Sequence, residues 1–96
     1  MSNVATRFAP SPTGALHIGG VRTALFNWLF SKNKKGTFHL RIEDTDKQRS
    51  KDEYKHQIIK SLKWIGINYD GEEYIQSKKI EDHIKIANEL LKNGHA

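Results

Sequence analysis

The sequence predicts an α/β fold in which a parallel βαβ unit is followed by further helices. Side chains alternate in character over 4–9 and over 37–42, as in strands, and apolar residues recur at helical spacing from residue 19 to residue 35. A strand, a helix and a second strand in this order join two parallel strands by a right-handed crossover. The loop after the first strand and the end of the second strand are therefore expected at one edge of the sheet.

The segment between the first strand and the first helix predicts a phosphate site. The strand carries Arg7 and ends at Pro10, and residues 10–20 lead through a glycine-rich stretch with His17 into the helix. Its glycines are Gly14, Gly19 and Gly20. Backbone N–H groups at a helix N-terminus attract anions, and glycines remove side chains that would keep a phosphate away. A plain turn is the alternative interpretation of the glycines, and a helix cap that of the histidine.

The second half of the chain predicts two more helices. Residues 50–53, Ser-Lys-Asp-Glu, form a capping box for a helix that ends at Gly66. Residues 68–71 favour a turn, and Ser77 is expected to cap a third helix that ends at Gly94. Two strands and three helices cannot cover both faces of a parallel sheet, so we expect these 96 residues to be part of a larger fold.

Composition and charge narrow the classes of function. With 36% hydrophobic and 28% charged residues the chain is typical of soluble proteins, and the lack of any long apolar run predicts a cytoplasmic location and no membrane partner. Cysteine is absent, which excludes disulfides and thiol nucleophiles within these residues. Residues 1–50 hold eight Lys and Arg against three acids, whereas residues 51–96 hold eight against eight. The excess suits a polyanion such as ATP or an RNA end, with a solvated basic surface as the alternative.

Five motifs, which together span nearly the whole chain, carry a family resemblance. They are Arg-Phe-Ala-Pro-Ser-Pro-Thr-Gly at 7–14, Leu-His-Ile-Gly-Gly at 16–20, Ala-Leu-Phe-Asn-Trp at 24–28, Arg-Ile-Glu-Asp-Thr-Asp at 41–46 and Tyr-x-Gln-Ser at 74–77. In this order they resemble the bacterial glutamyl-tRNA synthetases, which are class I aminoacyl-tRNA synthetases. Gly20 stands where the general class I motif ends in His, a change that glutamate-type enzymes accept.

The resemblance implies a fold and a domain organisation. Residues 1–96 would be the N-terminal, incomplete portion of a Rossmann-like (HUP-type) nucleotide-binding catalytic domain, without the anticodon-binding region. Zinc ligands, where members of the family have them, would lie beyond Ala96. The longer enzyme would be a monomer, and the 96 residues alone are not expected to charge tRNA.

The resemblance also implies an activity: ATP-dependent ligation of L-glutamate to tRNA(Glu) through glutamyl-adenylate, with Mg²⁺ accompanying ATP. The catalytic phosphate contacts would be His17, Gly19 and Gly20, joined in ATP binding by Pro10 and Gly14. Glutamate would be bound by Arg7, Ala9, Ser11 and Glu43, and the tRNA end by Asp44, Thr45 and Arg49. No metal site is expected, because two carboxylates at 44 and 46 without further oxygen ligands are typical of turn and capping groups.

Other interpretations remain open at this point. Glu43 could instead pair with Arg41 or Lys47, and His39 is interpreted as a bystander. One alternative function is the shortened paralogue that glutamylates a modified base, queuosine, in tRNA(Asp). Another is a non-catalytic RNA-binding module, for which we would expect exposed aromatic side chains among the basic residues. Phe26, Trp28 and Phe30 stand instead at helical positions predicted to pack in the core.

Overall fold

A computed structural model describes residues 3–96 as a mixed α/β structure. Its elements are β1 (Ala5–Phe8), α1 (Ile18–Asn33), β2 (Thr37–Ile42), α2 (Asp52–Ile65), β3 (Tyr74–Ile75), a 3₁₀ turn (Gln76–Lys79) and α3 (Ile80–Lys92). The strands described in this range form a parallel sheet in the order β1-β2-β3. The predicted α/β class and the βαβ unit are confirmed, and β3 was not predicted.

One face of the sheet forms the core. The two crossovers step in the same direction across the sheet, so right-handed connections place α1 and α2 on the same face. The buried cluster on that face consists of Phe8, Ala24, Phe38, Leu40, Ile42, Ile58, Leu62, Ile67 and Ile75. The three apolar side chains of β2 are fully buried, because both helices cover this central strand.

The opposite face, called the open face below, carries polar side chains. Arg7 of β1 and His39 of β2 lie side by side in the strand register, and both are exposed. Arg41 pairs in the same way with Tyr74 of β3. Helix α3 meets this face at its edge, where the Tyr74 hydroxyl lies 3.3 Å from His83 Nε2.

The junction between α1 and β2 requires a glycine. Gly36 N–H donates to the Ser31 carbonyl at 2.7 Å, and Thr37 N–H donates to the Val4 carbonyl at 3.0 Å. A Cβ atom at Gly36 would stand only 2.1 Å from that Val4 oxygen. The close approach of two backbones at this point thus excludes any side chain.

Asp70 completes the edge of β2 that the two-residue β3 does not reach. Its N–H donates to the Phe38 carbonyl at 2.7 Å, and its carboxylate accepts the Phe38 N–H at 2.8 Å. One residue therefore satisfies both backbone groups of Phe38 as a paired strand would. The segment reaches this position from α2, which ends as predicted at Gly66, a residue with φ of 94°.

Two predicted caps are wrong. The N-cap of α2 is Lys51, not Ser50, because the Lys51 carbonyl accepts the first helical hydrogen bonds while its N–H donates to the Pro12 carbonyl at 3.1 Å. The Ser50 hydroxyl is buried without a hydrogen-bond partner among the described residues. Ser77 does not cap α3 either, since it lies in the 3₁₀ turn and bonds to Asp44, and α3 begins at Ile80.

Several apolar side chains predicted to pack are exposed in the described part of the chain. Phe26 and Phe30 of α1 are 59% and 52% exposed, while Trp28 packs against the core. On α3, Ile84 and Leu91 are also exposed. The core prediction is therefore wrong for the two phenylalanines, because the helices on this face bury only the stripe that meets the sheet. None of the helices within residues 3–96 has the length and apolarity to cross a membrane.

Candidate active site

The 10–20 segment is tied by its backbone to the end of β2. Glu43 N–H donates to the Pro10 carbonyl at 2.9 Å, and Lys51 N–H donates to the Pro12 carbonyl two residues on. Pro12 is buried, so the segment turns against the protein. The predicted meeting of this loop with Glu43 at one edge of the sheet is confirmed.

His17 begins the first helix as its N-cap. Its Nδ1 accepts the N–H of Gly19 at 3.1 Å, and its carbonyl accepts the N–H of Val21 at 3.0 Å. The capping interpretation of this histidine is therefore observed. A neutral imidazole that accepts through Nδ1 carries its proton on Nε2, so the ring keeps one donor for another partner.

The glycines of this segment differ in how much space a side chain would have. A Cβ at Gly19 would lie 2.9 Å from the His17 ring, and one at Gly20 would lie 2.8 Å from the Leu16 side chain. Around Gly14 there is open space. Gly19 and Gly20 precede the first helical hydrogen bond, so their amides belong to the group that a helix leaves without intrahelical acceptors.

A cavity of about 340 Å³, called the phosphate-loop cavity below, is lined by most of the predicted ATP residues. Its lining includes Pro10, Ser11, Gly14, His17 and Gly20. The floor is apolar, with Phe8 and Ile58 from the core. Helix N-terminal amides, an imidazole donor and small residues around one cavity make an arrangement that can accept a phosphate group.

A second cavity of about 540 Å³ lies on the open face. Arg7, His39, Arg41 and Tyr74 line it together with Glu72. The Arg41 guanidinium carbon lies 5.5 Å from the centre of the Tyr74 ring, at cation–π distance. Two guanidinium groups, of Arg7 and Arg41, against the one carboxylate of Glu72 make this cavity suited to a carboxylate or another anion.

The predicted glutamate residues are divided between these cavities. Arg7 lines the open-face cavity and Ser11 the phosphate-loop cavity, with Ala9 half-buried on the chain between them. Glu43 connects the two sides: its N–H holds Pro10, and its carboxylate lies 3.6 Å from Arg41 Nε. The pairing of Glu43 with Arg41 that we considered as an alternative is thus present.

The residues predicted to contact tRNA have different surroundings. Both carboxylate oxygens of Asp44 accept hydrogen bonds from Ser77, one from its N–H and one from its hydroxyl. Thr45 is exposed, and Arg49 is exposed with a guanidinium nitrogen 3.8 Å from Asp46. Within residues 3–96 there is no group of three or more side chains that could hold a metal ion.

Sequence reasoning missed the roles of His39 and Tyr74 in the open-face cavity. The signal for His39 was present, because alternation in β2 places it on the same face as Arg41. The parallel register then sets it beside Arg7. Tyr74 had no such signal, because β3 is two residues long.

The shifted pKa values belong to a pair next to this cavity. The Tyr69 hydroxyl donates to Glu73 at 3.1 Å. Burial raises the pKa of Tyr69, and the hydrogen bond and charge of Glu73 add to the rise. A backbone hydrogen bond lowers the pKa of Glu73, assisted by Tyr69 and by the charges of Lys55 and Lys63. The hydrogen bond spans the bend that precedes β3.

Comparisons with known proteins all point to one family. The family described as tRNA synthetases class I (E and Q), catalytic domain, matches residues 3–96. Glutamate–tRNA ligase of Pelagibacter ubique is 85% identical over 96 residues, and glutamate–tRNA ligase 2 of the Wolbachia from Brugia malayi is 62% identical over the same length. This chain spans 21% of the length of each, so it corresponds to about a fifth of those relatives.

Solved structures give the same result at the level of the fold. A glutamate tRNA ligase from Elizabethkingia meningosepticum, in complex with its amino acid, matches with a TM-score of 0.87 and 44% identity. The match covers 95% of this chain and 20% of that one. Glutamate-tRNA synthetase from Elizabethkingia anophelis matches with a TM-score of 0.85 and 45% identity over 93% of this chain and 20% of that one. The chain therefore belongs to the catalytic-domain family of the class I tRNA synthetases for glutamate and glutamine.

Proposed function

We propose that this chain is the N-terminal portion of the catalytic domain of a glutamate–tRNA ligase. The observation that carries the proposal is the identity of 85% to such a ligase across all 96 residues. The longer protein would activate L-glutamate with ATP and transfer it to tRNA(Glu). Residues 1–96 would supply the first half of the site and not the whole activity.

ATP is proposed to bind at the phosphate-loop cavity. A glutamate carboxylate oxygen attacks the α-phosphorus, the bond from that phosphorus to the bridging oxygen breaks, and pyrophosphate leaves. Charge develops on phosphate oxygens during this step, so fixed donors accelerate it. The His17 Nε2–H and the amide of Gly20 would supply these donors, and the Gly19 N–H would orient the imidazole through its bond to Nδ1. Pro10 and Gly14 would shape the cavity.

Glutamate is proposed to lie between the two cavities. Arg7 would receive a carboxylate of the amino acid, since a guanidinium matches a carboxylate in two parallel hydrogen bonds. Glu43, Ser11 and the Ala9 carbonyl would receive the ammonium group. The hydrogen bond from Glu43 N–H to the Pro10 carbonyl keeps the two halves of this pocket in register.

The second step would attach the activated glutamate to the terminal adenosine of tRNA, releasing AMP. Thr45 and Arg49, both exposed at the same edge, are proposed to contact the acceptor end, and for Asp44 the geometry supports another role, argued below. Mg²⁺ would enter with the ATP phosphates, because the carboxylates of Asp44 and Asp46 are engaged in hydrogen bonds. The longer enzyme is proposed to be a cytoplasmic monomer.

The alternatives are less well supported. The relatives described above are named glutamate–tRNA ligases, which favours that activity over glutamylation of queuosine in tRNA(Asp). For a non-catalytic RNA-binding module we expected exposed aromatics near basic residues, and Phe26 beside Arg22 is one. Identity over the whole chain to ligases nevertheless favours catalysis.

The test is a charging assay on the full-length protein. We expect transfer of labelled glutamate to tRNA(Glu) with release of AMP. Arg7→Lys should lower kcat/KM for glutamate by about 100-fold, because an ammonium cannot reproduce the bidentate contact. Charging of tRNA(Asp) carrying queuosine, or binding of tRNA without any charging, would each overturn the proposal in favour of the corresponding alternative.

A further inference from the structure

The third strand is attached to the sheet by very few backbone contacts. It is two residues long and pairs only through Arg41 with Tyr74 and through Ile42 with Ile75. Strands in globular proteins usually have five or six residues, so two pairs alone hold such a segment weakly. Additional bonds are needed to fix the position of Tyr74 and of the 3₁₀ turn that follows.

Asp44 supplies those bonds two residues beyond the last strand pair. Its carboxylate accepts the Ser77 N–H at 2.8 Å and the Ser77 hydroxyl at 2.5 Å. Both partners are partly buried, and hydrogen bonds to a carboxylate are stronger than those between neutral groups. We name this arrangement the Asp44–Ser77 clamp.

The clamp is directly connected to the amino-acid side of the site. Asp44 follows Glu43, whose N–H holds the Pro10 carbonyl. Ser77 follows the segment of Tyr74, whose ring lies against Arg41, and Arg41 lies 3.6 Å from the Glu43 carboxylate. The backbone on both sides of Glu43 is therefore held, by the strand pair on one side and by the clamp on the other.

We infer that Asp44 is a positioning residue for glutamate binding. This inference rests on the function proposed above. It acts by holding Ser77, and through it Tyr74 and Arg41, so that the Glu43 carboxylate is presented to the ammonium group of the substrate. Asp44 itself makes no contact with substrate in this role. Each of its oxygens accepts one hydrogen bond from Ser77, so this role is defined by the contacts with Ser77 and not by a contact with tRNA.

The chemistry of the clamp defines informative variants. Asp44→Ala removes both acceptors and leaves the Ser77 N–H without a partner. Asp44→Asn keeps both contacts, because the amide oxygen can accept the N–H and the amide nitrogen can donate to the hydroxyl. Ser77→Ala removes one of the two bonds. Asp82→Ala, at an exposed acid of α3, removes the same charge elsewhere.

The experiment measures KM for glutamate, ATP and tRNA(Glu), together with kcat and the thermal midpoint, on the full-length enzyme. We expect Asp44→Ala to raise KM for glutamate about tenfold and to change KM for ATP and tRNA less than about twofold. Ser77→Ala should give an intermediate rise. Asp44→Asn should restore the wild-type KM, and Asp82→Ala should match the wild type.

The other outcomes overturn the inference in distinct ways. A selective rise in KM for tRNA assigns Asp44 to the acceptor end instead. A lower thermal midpoint with every KM unchanged assigns it to stability alone. If the wild-type enzyme charges no tRNA, the proposed function fails separately. Hydrogen exchange then still tests the clamp: residues 72–79 should exchange faster in Asp44→Ala than in Asp44→Asn, and equal rates overturn it.

Discussion

The two faces of the sheet differ in burial, although the same strands contribute side chains to both. In β2, Phe38, Leu40 and Ile42 are fully buried under α1 and α2, while the residues between them, His39 and Arg41, face the open-face cavity. The sequence of a parallel strand that is buried on both faces is usually a continuous run of apolar residues. Here strict alternation in a parallel strand indicates that, within the described residues, one face packs in the core and the other is open.

The largest loss of stability is expected at Gly36, in the junction between α1 and β2, because this junction lies beside the β1–β2 pairing on which both faces of the sheet depend. Gly36→Ala places a methyl group 2.1 Å from the Val4 carbonyl oxygen, and neither backbone can move without breaking the β1–β2 pairing. We expect a loss of more than about 3 kcal/mol in the free energy of unfolding. Urea unfolding of the full-length protein measures it. Gly14→Ala, which meets open space, is the control and should unfold like the wild type.

Substitutions at two neighbouring residues of β2 compare how much each face contributes to stability. Leu40→Ala leaves a void in the core and should cost about 3 kcal/mol. His39→Ala, one residue away on the open face, should change stability by less than about 0.5 kcal/mol. Comparable losses for the two variants in urea unfolding would contradict the assignment of one face to the core and of the other to the surface of the described residues.

A smaller effect is expected at the edge of β2. Asp70→Ala leaves the Phe38 N–H without its acceptor, which should cost about 1.5 kcal/mol. Asp70→Asn keeps an oxygen in place and should recover most of the loss. Thermal unfolding compares the two. Equal midpoints for wild type and alanine variant would mean that water replaces the carboxylate at this edge.

The smallest effect is a pH dependence beside the open face. Because the folded pKa of Glu73 is lowered, its stabilising contribution is present above its ordinary value of 4.5 and is lost as pH falls through the folded pKa. Because the pKa of Tyr69 is raised, its contribution is lost as pH rises past its ordinary value of 10.0. Tyr69→Phe should flatten both limbs of a stability–pH curve by a few tenths of a kcal/mol, since Glu73 is largely solvated. An unchanged curve would show that the pair is not coupled to folding.

The sequence predicted the elements whose signals are local. Alternation located β1 and β2, helical spacing located α1, and Gly66 ended α2 at the expected residue. The meeting of the 10–20 segment with Glu43 followed from the parallel direction of β1 and β2, because the carboxyl ends of parallel strands lie at the same edge of the sheet.

The features that were not predicted depend on contacts between distant residues. β3 has no pattern of its own and is held by Asp44 and Asp70, whose partners are tens of residues away. The capping box at 50–53 satisfied the local rule, but the bond from Lys51 to Pro12 moved the start of α2 by one residue. The division of Arg7 and Ser11 between two cavities likewise depends on how loop and sheet meet.

The strand order has a consequence for where a ligand can bind. In a doubly wound sheet, ligands lie at the topological switch point, outside the carboxyl ends of the two strands between which the order reverses. In residues 3–96 the order runs from β1 through β2 to β3 without a reversal, so in a longer doubly wound sheet the reversal would lie on the other side of β1. The 10–20 segment leaves the carboxyl end of β1. Topology would thus set the position of such a crevice, and the glycines and His17 would determine what it can hold.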